Sequence, residues 1–319
     1  MPRMKRPGGP KDRVRRRDDR SPVRGGTKSR RFAFVKVDVF SSRPLEGNQL
    51  AVFLDARGLR DGEMQALARE MNLAETTFVL PRPQAVEAKE GVKVRIFTVQ
   101  EELEFAGHPT LGTAFVLRKP SQREVILDLK VGKIPVGFQE LNGKLFGEMR
   151  QRDPVMGSFH DKRAVALAAG LEPDAIDPGL PIQTVSNGLS FAIVPLRSLD
   201  VIRNFAPSWK RMAEYLEPTD AKFLYFVTRE TVDPKARLHA RMIFYNGEDP
   251  ATGSAAGCCS AWMVEHGVAR PDERVLIEQG LEIRRPSRIL VRASRTGNGI
   301  VNVRVGGNVV KLMRGEAFL

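Results

Sequence analysis

Three side chains of this 319-residue sequence are placed to move protons: Glu75, His108 and Asp249. His108 stands in FAGHPTLGTA and Asp249 in GEDPATGSA, so each precedes a proline that is followed by Gly and Ser or Thr. A proline suits the first helical turn, where its missing N–H costs nothing, and this makes His108 and Asp249 the expected N-caps. The N–H groups beyond them would be free, at Thr110, Leu111 and Gly112 in one motif and at Ala251, Thr252, Gly253 and Ser254 in the other. Free N–H groups with a helix macrodipole behind them attract an anion, here a substrate carboxylate. Gly107 and Gly253 permit close backbone approach, and the hydroxyls of Thr110 and Ser254 can donate. Asp is a favoured N-cap in any protein, so Asp249 alone carries no functional weight. Glu75 lies in NLAETTFVL, among Leu73, Ala74, Phe78 and Val79. That setting reads either as a surface turn or as a desolvated carboxyl, whose raised pKa would suit acid–base work.

The two proline motifs belong to a duplication. Residues 94–114 (VRIFTVQEELEFAGHPTLGTA) and 240–255 (ARMIFYNGEDPATGSA) share Arg, Ile-Phe, Gly and x-Pro-x-x-Gly-[Ser/Thr]-Ala in that order. Arg95 and Arg241 are 146 positions apart, Pro109 and Pro250 141. Residues 37–54 echo 183–196, and 64–80 echo 209–228, at similar spacing. In the first helix of this pattern Met64, Leu67, Ala68 and Met71 fall on one face, with Asp61 as the expected N-cap. Each half reads strand–strand–helix–strand–strand–helix followed by more strands, a mixed order that favours α+β over regular βαβ units. The segments 109–117 and 250–266 are nearly free of charge, and a helix apolar all round is buried. Each half is therefore expected to wrap a mixed or antiparallel sheet around one central helix, with Gly267 ending the second of these.

Composition narrows the function classes. The net charge of +13 is concentrated in residues 1–31, which carry +10 and few apolar groups. This segment reads as a disordered basic tail, either a solvated extension, an upstream start, or a contact for nucleic acid. No apolar run reaches a membrane span, and no secretory h-region is present, so a cytoplasmic protein is expected. Cys258 and Cys259 are adjacent and poorly placed to pair with each other. The four histidines are scattered, and neither metal-ligand spacing nor a Walker or G-x-G-x-x-G loop occurs, so no metal or other cofactor is expected.

The stretches GNQLAV (47–52), AREMNLAETTFVL (68–80), RIFT and ELEFAGHPTLGTA (95–114), SNGLSFAIVPL (186–196) and GEDPATGSAAG (247–257) together resemble the PhzF family of phenazine-biosynthesis-like isomerases. The resemblance covers about residues 33–319 and implies the diaminopimelate-epimerase fold, two pseudo-symmetric domains with a site between them. It implies an N-terminal domain over 32–135, a second over 136–307, and a last strand from about 308 to 319 returning to the first. It assigns the acid–base role to Glu75 and places His108, Asp249 and Ser254 in the active site. It also implies a homodimer, a small carboxylate-bearing substrate and no cofactor. Val99 departs from the family, which commonly has Pro there. Related epimerases use one cysteine from each half, and the first half here has none, so the two-thiol mechanism is unavailable. The alternative is a small-acid binding or regulatory protein on the same fold, which would keep the anion site and need no shuttling carboxyl.

Overall fold

The computed structural model describes residues 29–141, 143–245 and 247–319. The reading of the tail as disordered therefore lies, for residues 1–28, outside the described residues. Its last positions do not fit that reading. Arg30 pairs with Glu63 at 2.6 Å, and Arg31 opens the first strand, Arg31–Val39.

The duplication is visible as a repeated pairing order. In the first half the strands run Val309–Phe318, Arg31–Val39, Asn48–Phe53, Glu75–Leu80, Val92–Phe97, Glu124–Leu129, Gly132–Leu141 and Lys144–Arg150. Successive neighbours pair antiparallel, antiparallel, parallel, antiparallel, parallel, antiparallel and antiparallel. The second half repeats that series through Val155–His160, Ile182–Ser186, Ser190–Pro195, Phe223–Thr228, Leu238–Phe244, Val275–Gln279, Ser287–Thr296 and Gly299–Gly307. The mixed sheets make the chain α+β. The chain's last strand closes against its first, and Gly299–Gly307 pairs with Lys144–Arg150 to join the halves. By strand pairing the first half continues to Arg150, beyond the expected cut at 135, because the meander of Gly132–Leu141 and Lys144–Arg150 completes its sheet.

Each half wraps one helix, Gly107–Leu117 or Gly253–Glu265. Both are apolar around their circumference, and all of Gly107–Ala114 and Ala255–Val264 is buried. A single apolar cluster contains Leu111 of the first helix, Trp262 and Met263 of the second, and the inner faces of both sheets. Outer helices form satellite cores. Asp61–Met71 covers Phe53, Phe78 and Phe97, while Lys162–Ala169 and Trp209–Leu216 cover Val194 and Phe226. Asp61 is the first helical residue rather than the N-cap. Arg60 takes that place, and its N–H is accepted by Glu63 at 2.8 Å.

A pair of arginines, Arg95 half-buried and Arg241 buried, repeats with the fold. Arg95 clasps Glu102 and Arg241 clasps Glu248, each through Nε and one terminal nitrogen at 2.7–2.9 Å. Each pair tethers the short strand that leads into a central helix, Glu102–Leu103 or Gly247–Glu248. A planar fork held at two points fixes direction as well as distance, so the chain enters both helices at a set angle.

Candidate active site

The two central helices meet at their N-termini. A Cβ on Gly107 would lie 3.4 Å from the Gly253 Cα and from the Ser254 nitrogen. A Cβ on Gly253 would lie 3.2 Å from the Phe40 ring and 3.7 Å from the Gly107 Cα. With hydrogen as the side chain at both positions, the space between the two ends stays open. Two positive helix ends facing one another favour negative charge between them.

The helix starts differ from the sequence expectation. The first helix begins at Gly107 with Ala106 as N-cap, which makes His108 its second residue. The second begins at Gly253 with Thr252 as N-cap. Pro250 therefore lies outside the helix, and Asp249 precedes it by four residues instead of capping it. Thr252 spends its N–H on the Gln279 side chain, at 3.2 Å, and Thr110 spends its N–H on Ala106, at 3.3 Å. The Thr110 hydroxyl also turns back to the Ala106 carbonyl, at 2.7 Å, so it offers no hydrogen to a ligand. The free first-turn groups are those of Gly107 and His108, and of Gly253, Ser254 and Ala255. Ser254 remains partly open, and its hydroxyl has no protein partner among the described residues.

Glu75 opens the strand Glu75–Leu80 beside Leu50, just past the left-handed turn at Asn72 that ends the Asp61–Met71 helix. Its side chain is 16% exposed and that of His108 6%, with His108 Nε2 3.4 Å from Glu75 Oε2. Both atoms are buried without a hydrogen-bond partner. Burial, then the charge of Asp249, pushes the Glu75 carboxyl up to about 8. Burial brings the His108 imidazole down to about 3, against a hydrogen bond with the Gln49 main chain. Since Nε2 is unpartnered, that bond leaves Nδ1 as the protonated nitrogen and a lone pair on Nε2 facing Glu75. Near neutral pH the two groups are a carboxylic acid and a neutral imidazole.

Asp249 reaches the same cleft from the second half. Asn48 Nδ2 donates to its Oδ1 at 2.8 Å and to the Ala251 carbonyl at 2.9 Å, which ties the halves together at the site. The Thr252 hydroxyl donates to Oδ2 at 2.6 Å. Burial raises the Asp249 carboxyl to about 6, opposed by hydrogen bonds from Thr252, Asn48 and the Ala251 main chain. Two carboxyls with separated pKa values thus face one crevice, the pattern that separates a proton donor from a fixed anion.

The structure brings Glu75, His108, Asp249, Gly107, Gly253 and Ser254 together, and sets the Thr110 side chain apart from the cleft. Sequence reading missed Asn48 and Tyr245. Asn48 lies in GNQLAV, a stretch quoted above with no role given to it. Tyr245 is 43% exposed, and its phenol is pushed up by partial burial, then by the charges of Glu101 and Glu75. Cys258 and Cys259 are buried free thiols that burial pushes up, and they pack in the shared core. Among the described residues no group of three His, Cys, Asp or Glu could hold a metal ion, and no helix is long and apolar enough to cross a membrane.

Known proteins resemble this chain in sequence and fold. The sequence profile of the family described as phenazine biosynthesis-like protein matches residues 37–315. The trans-2,3-dihydro-3-hydroxyanthranilate isomerase of Pseudomonas aeruginosa is 34% identical over 90% of this chain and 99% of its own. The crystal structure of a Bacillus anthracis phenazine biosynthesis protein of the PhzF family superposes with a TM-score of 0.82 at 28% identity, covering 91% of this chain and all of that one. A hydroxyproline epimerase from Agrobacterium vitis, 12% identical with a TM-score of 0.59 over 91% of this chain and 93% of its own, shares the fold. The chain belongs to the phenazine biosynthesis-like (PhzF) family and is an isomerase of that family.

Proposed function

We propose that this isomerase needs no cofactor and moves a proton within a small carboxylate-bearing substrate, with Glu75 as acid and base. The observation that carries the reading is the unpartnered pair Glu75 Oε2 and His108 Nε2, buried beside two abutting helix N-termini. Buried polar atoms without partners are costly, and a proton shared between them or a ligand reaching them from the cleft would satisfy them. The substrate carboxylate docks on the Gly253 and Ser254 N–H groups and the Ser254 hydroxyl, with help from the Gly107–His108 end. Ionised Glu75 takes the proton from an activated carbon, and the C–H electron pair enters the conjugated system. The protonated carboxyl then delivers that hydrogen to a second carbon of the same system, so product and substrate are isomers. His108 accepts a hydrogen bond from the neutral acid and releases it as the acid gives up its proton. Asp249 orients polar groups of the substrate, and its charge raises the Glu75 pKa into the useful range. A water-poor cleft slows, without preventing, exchange of the carboxyl proton with solvent between the two steps.

The Pseudomonas aeruginosa relative suggests the first compound to test, trans-2,3-dihydro-3-hydroxyanthranilate, followed by a panel of unsaturated amino and hydroxy acids. Incubated in deuterated water, the protein should place deuterium at a substrate carbon. Glu75→Gln should lower turnover by at least about 100-fold while ligand binding survives. Near-normal turnover in that variant would remove Glu75 from the chemistry. Binding without exchange across the whole panel would favour the small-acid binding protein instead. The proposal extends, on the family resemblance, to a homodimer in the cytoplasm, and sedimentation velocity decides the first of these.

A further inference from the structure

We propose that the buried chain Tyr225–Gln279–Thr252 holds Asp249 ionised, and so places the resting proton of the site on Glu75. The inference rests on the proton-shift reading above, and it gives roles to three residues that do not touch the substrate.

The direction of every hydrogen bond in the chain is fixed by main-chain groups. Gln279 Oε1 accepts from the Thr252 N–H at 3.2 Å, while Gln279 Nε2 donates to the Asp249 carbonyl at 2.8 Å. Turning the amide over would set a donor against a donor and an acceptor against an acceptor. With Gln279 so oriented, Tyr225 donates its hydroxyl to Oε1 at 3.0 Å, and Nε2 donates to Thr252 Oγ1 at 3.0 Å. The Thr252 hydroxyl then has one hydrogen to give, and it points at Asp249 Oδ2, 2.6 Å away. Asn48 is fixed in the same way. Its Nδ2 bonds the Ala251 carbonyl, which can only accept, so the same nitrogen donates to Asp249 Oδ1.

Both oxygens of Asp249 therefore face donors. A proton on Oδ1 would point at the Asn48 amide. A proton on Oδ2 would make Thr252 accept twice and leave its own hydrogen stranded in a buried place. The ionised form is the one that satisfies every partner, although burial opposes it. The other charged neighbours leave that arrangement in place. Glu248 is clasped by Arg241 through both oxygens, and Tyr225 lies behind Asp249 as a neutral phenol. Across the cleft stands Glu75, faced in turn by His108 and Tyr245. A fixed negative charge opposite a second buried carboxyl keeps that second carboxyl protonated. The order of the two, Glu75 near 8 and Asp249 near 6, agrees with this arrangement.

The test follows carbon NMR titrations of the full-length protein labelled at the Asp and Glu side-chain carboxyls. Asp249→Asn and Glu75→Gln identify the two resonances by their disappearance. In the wild type Asp249 should titrate below Glu75. Thr252→Val should raise the Asp249 midpoint by about one pH unit, the loss expected for one hydrogen bond to a charged group. Thr252→Ser, which keeps the hydroxyl, should restore it. Gln279→Met, which frees the hydroxyl without deleting it, should shift the midpoint the same way by less and covers the case in which the valine variant does not fold. An unmoved Asp249 midpoint in the folded Thr252→Val or Gln279→Met variant overturns the inference. So does a wild-type Glu75 that titrates below Asp249. Turnover of Glu75→Gln is read separately, so the proton shift and the relay can fail independently.

Discussion

At the scale of the residue, Glu75, His108 and Asp249 were legible because each sits in a short motif with a local chemical meaning. Their electrostatics were not. A pKa is set by what surrounds a group in space, and Asn48 reaches Asp249 across 201 positions of sequence. Local sequence alone favours reading Glu75 as a surface turn residue. What decides between the readings is the roof of His108 over it, supplied by another element. A prediction belongs here. The Asp249 charge adds to the burial that raises Glu75, so Asp249→Asn should lower the Glu75 pKa. If Glu75 must be ionised to accept a proton, kcat/KM of the wild type rises with pH through about 8. In the variant that rise should begin at lower pH, whatever happens to its height, because Asp249 also orients the substrate. A pH–rate profile checks this, and an unmoved limb would show that the two carboxyls do not sense one another.

At the scale of the element, hydropathy found both central helices but placed their starts wrongly. Proline marks the first helical turn at Pro109, the third residue of its helix, and does not at Pro250, where Ala251 and Thr252 intervene before Gly253. The reason is Gln279. It satisfies the Thr252 N–H and the Asp249 carbonyl from a neighbouring strand, so the chain is held without helical bonds. No local pattern in the sequence announces such a partner. The strand Gly132–Leu141 and the edge strand Val155–His160 escaped notice for a related cause, since few of their residues are buried. The helix ends yield their own prediction. In Gly107→Ala the new methyl meets its neighbours at 3.4 Å, an ordinary contact, so stability should change by less than about 1 kcal/mol. The same methyl would sit over the Ser254 N–H, where the substrate carboxylate is proposed to bind. KM should therefore rise by roughly 10-fold or more, the loss of one charge-assisted hydrogen bond, with a smaller change in kcat. Steady-state kinetics beside a thermal melt separates the two effects.

At the scale of the molecule, the duplication told most of the architecture, because one repeat read twice gives the same sheet twice. What it could not tell is how tightly the copies are joined, since that depends on contacts unique to the seam. The halves share one apolar cluster and the Gly299–Gly307 to Lys144–Arg150 ladder. Main-chain bonds from Gly47 to Pro286, and from Arg288 to Phe40, stitch the loops beside the site. Arg285 adds a charged link. It reaches from the second half to Asp38 at 2.8 Å and to the carbonyls of Glu46 and Gly47 at 2.8 and 3.0 Å. The Asp38 carboxylate is fully buried, and its other oxygen accepts the Leu45 N–H. Removing the guanidinium leaves that carboxylate uncompensated, which costs about 3 kcal/mol or more. Arg285→Ala should thus lower Tm by roughly 5 °C or more while the wild type unfolds in a single transition, as one shared core requires. Phe40 borders the abutting helix ends and Asn48, next to Gly47, holds Asp249, so loosening this loop should also weaken substrate binding. Arg285→Lys keeps the charge but loses the fork, and it should recover stability only in part. Calorimetry decides the point. A melt of Arg285→Ala that matched the wild type would mean that the apolar cluster, and not this ion pair, fixes the two halves around the site.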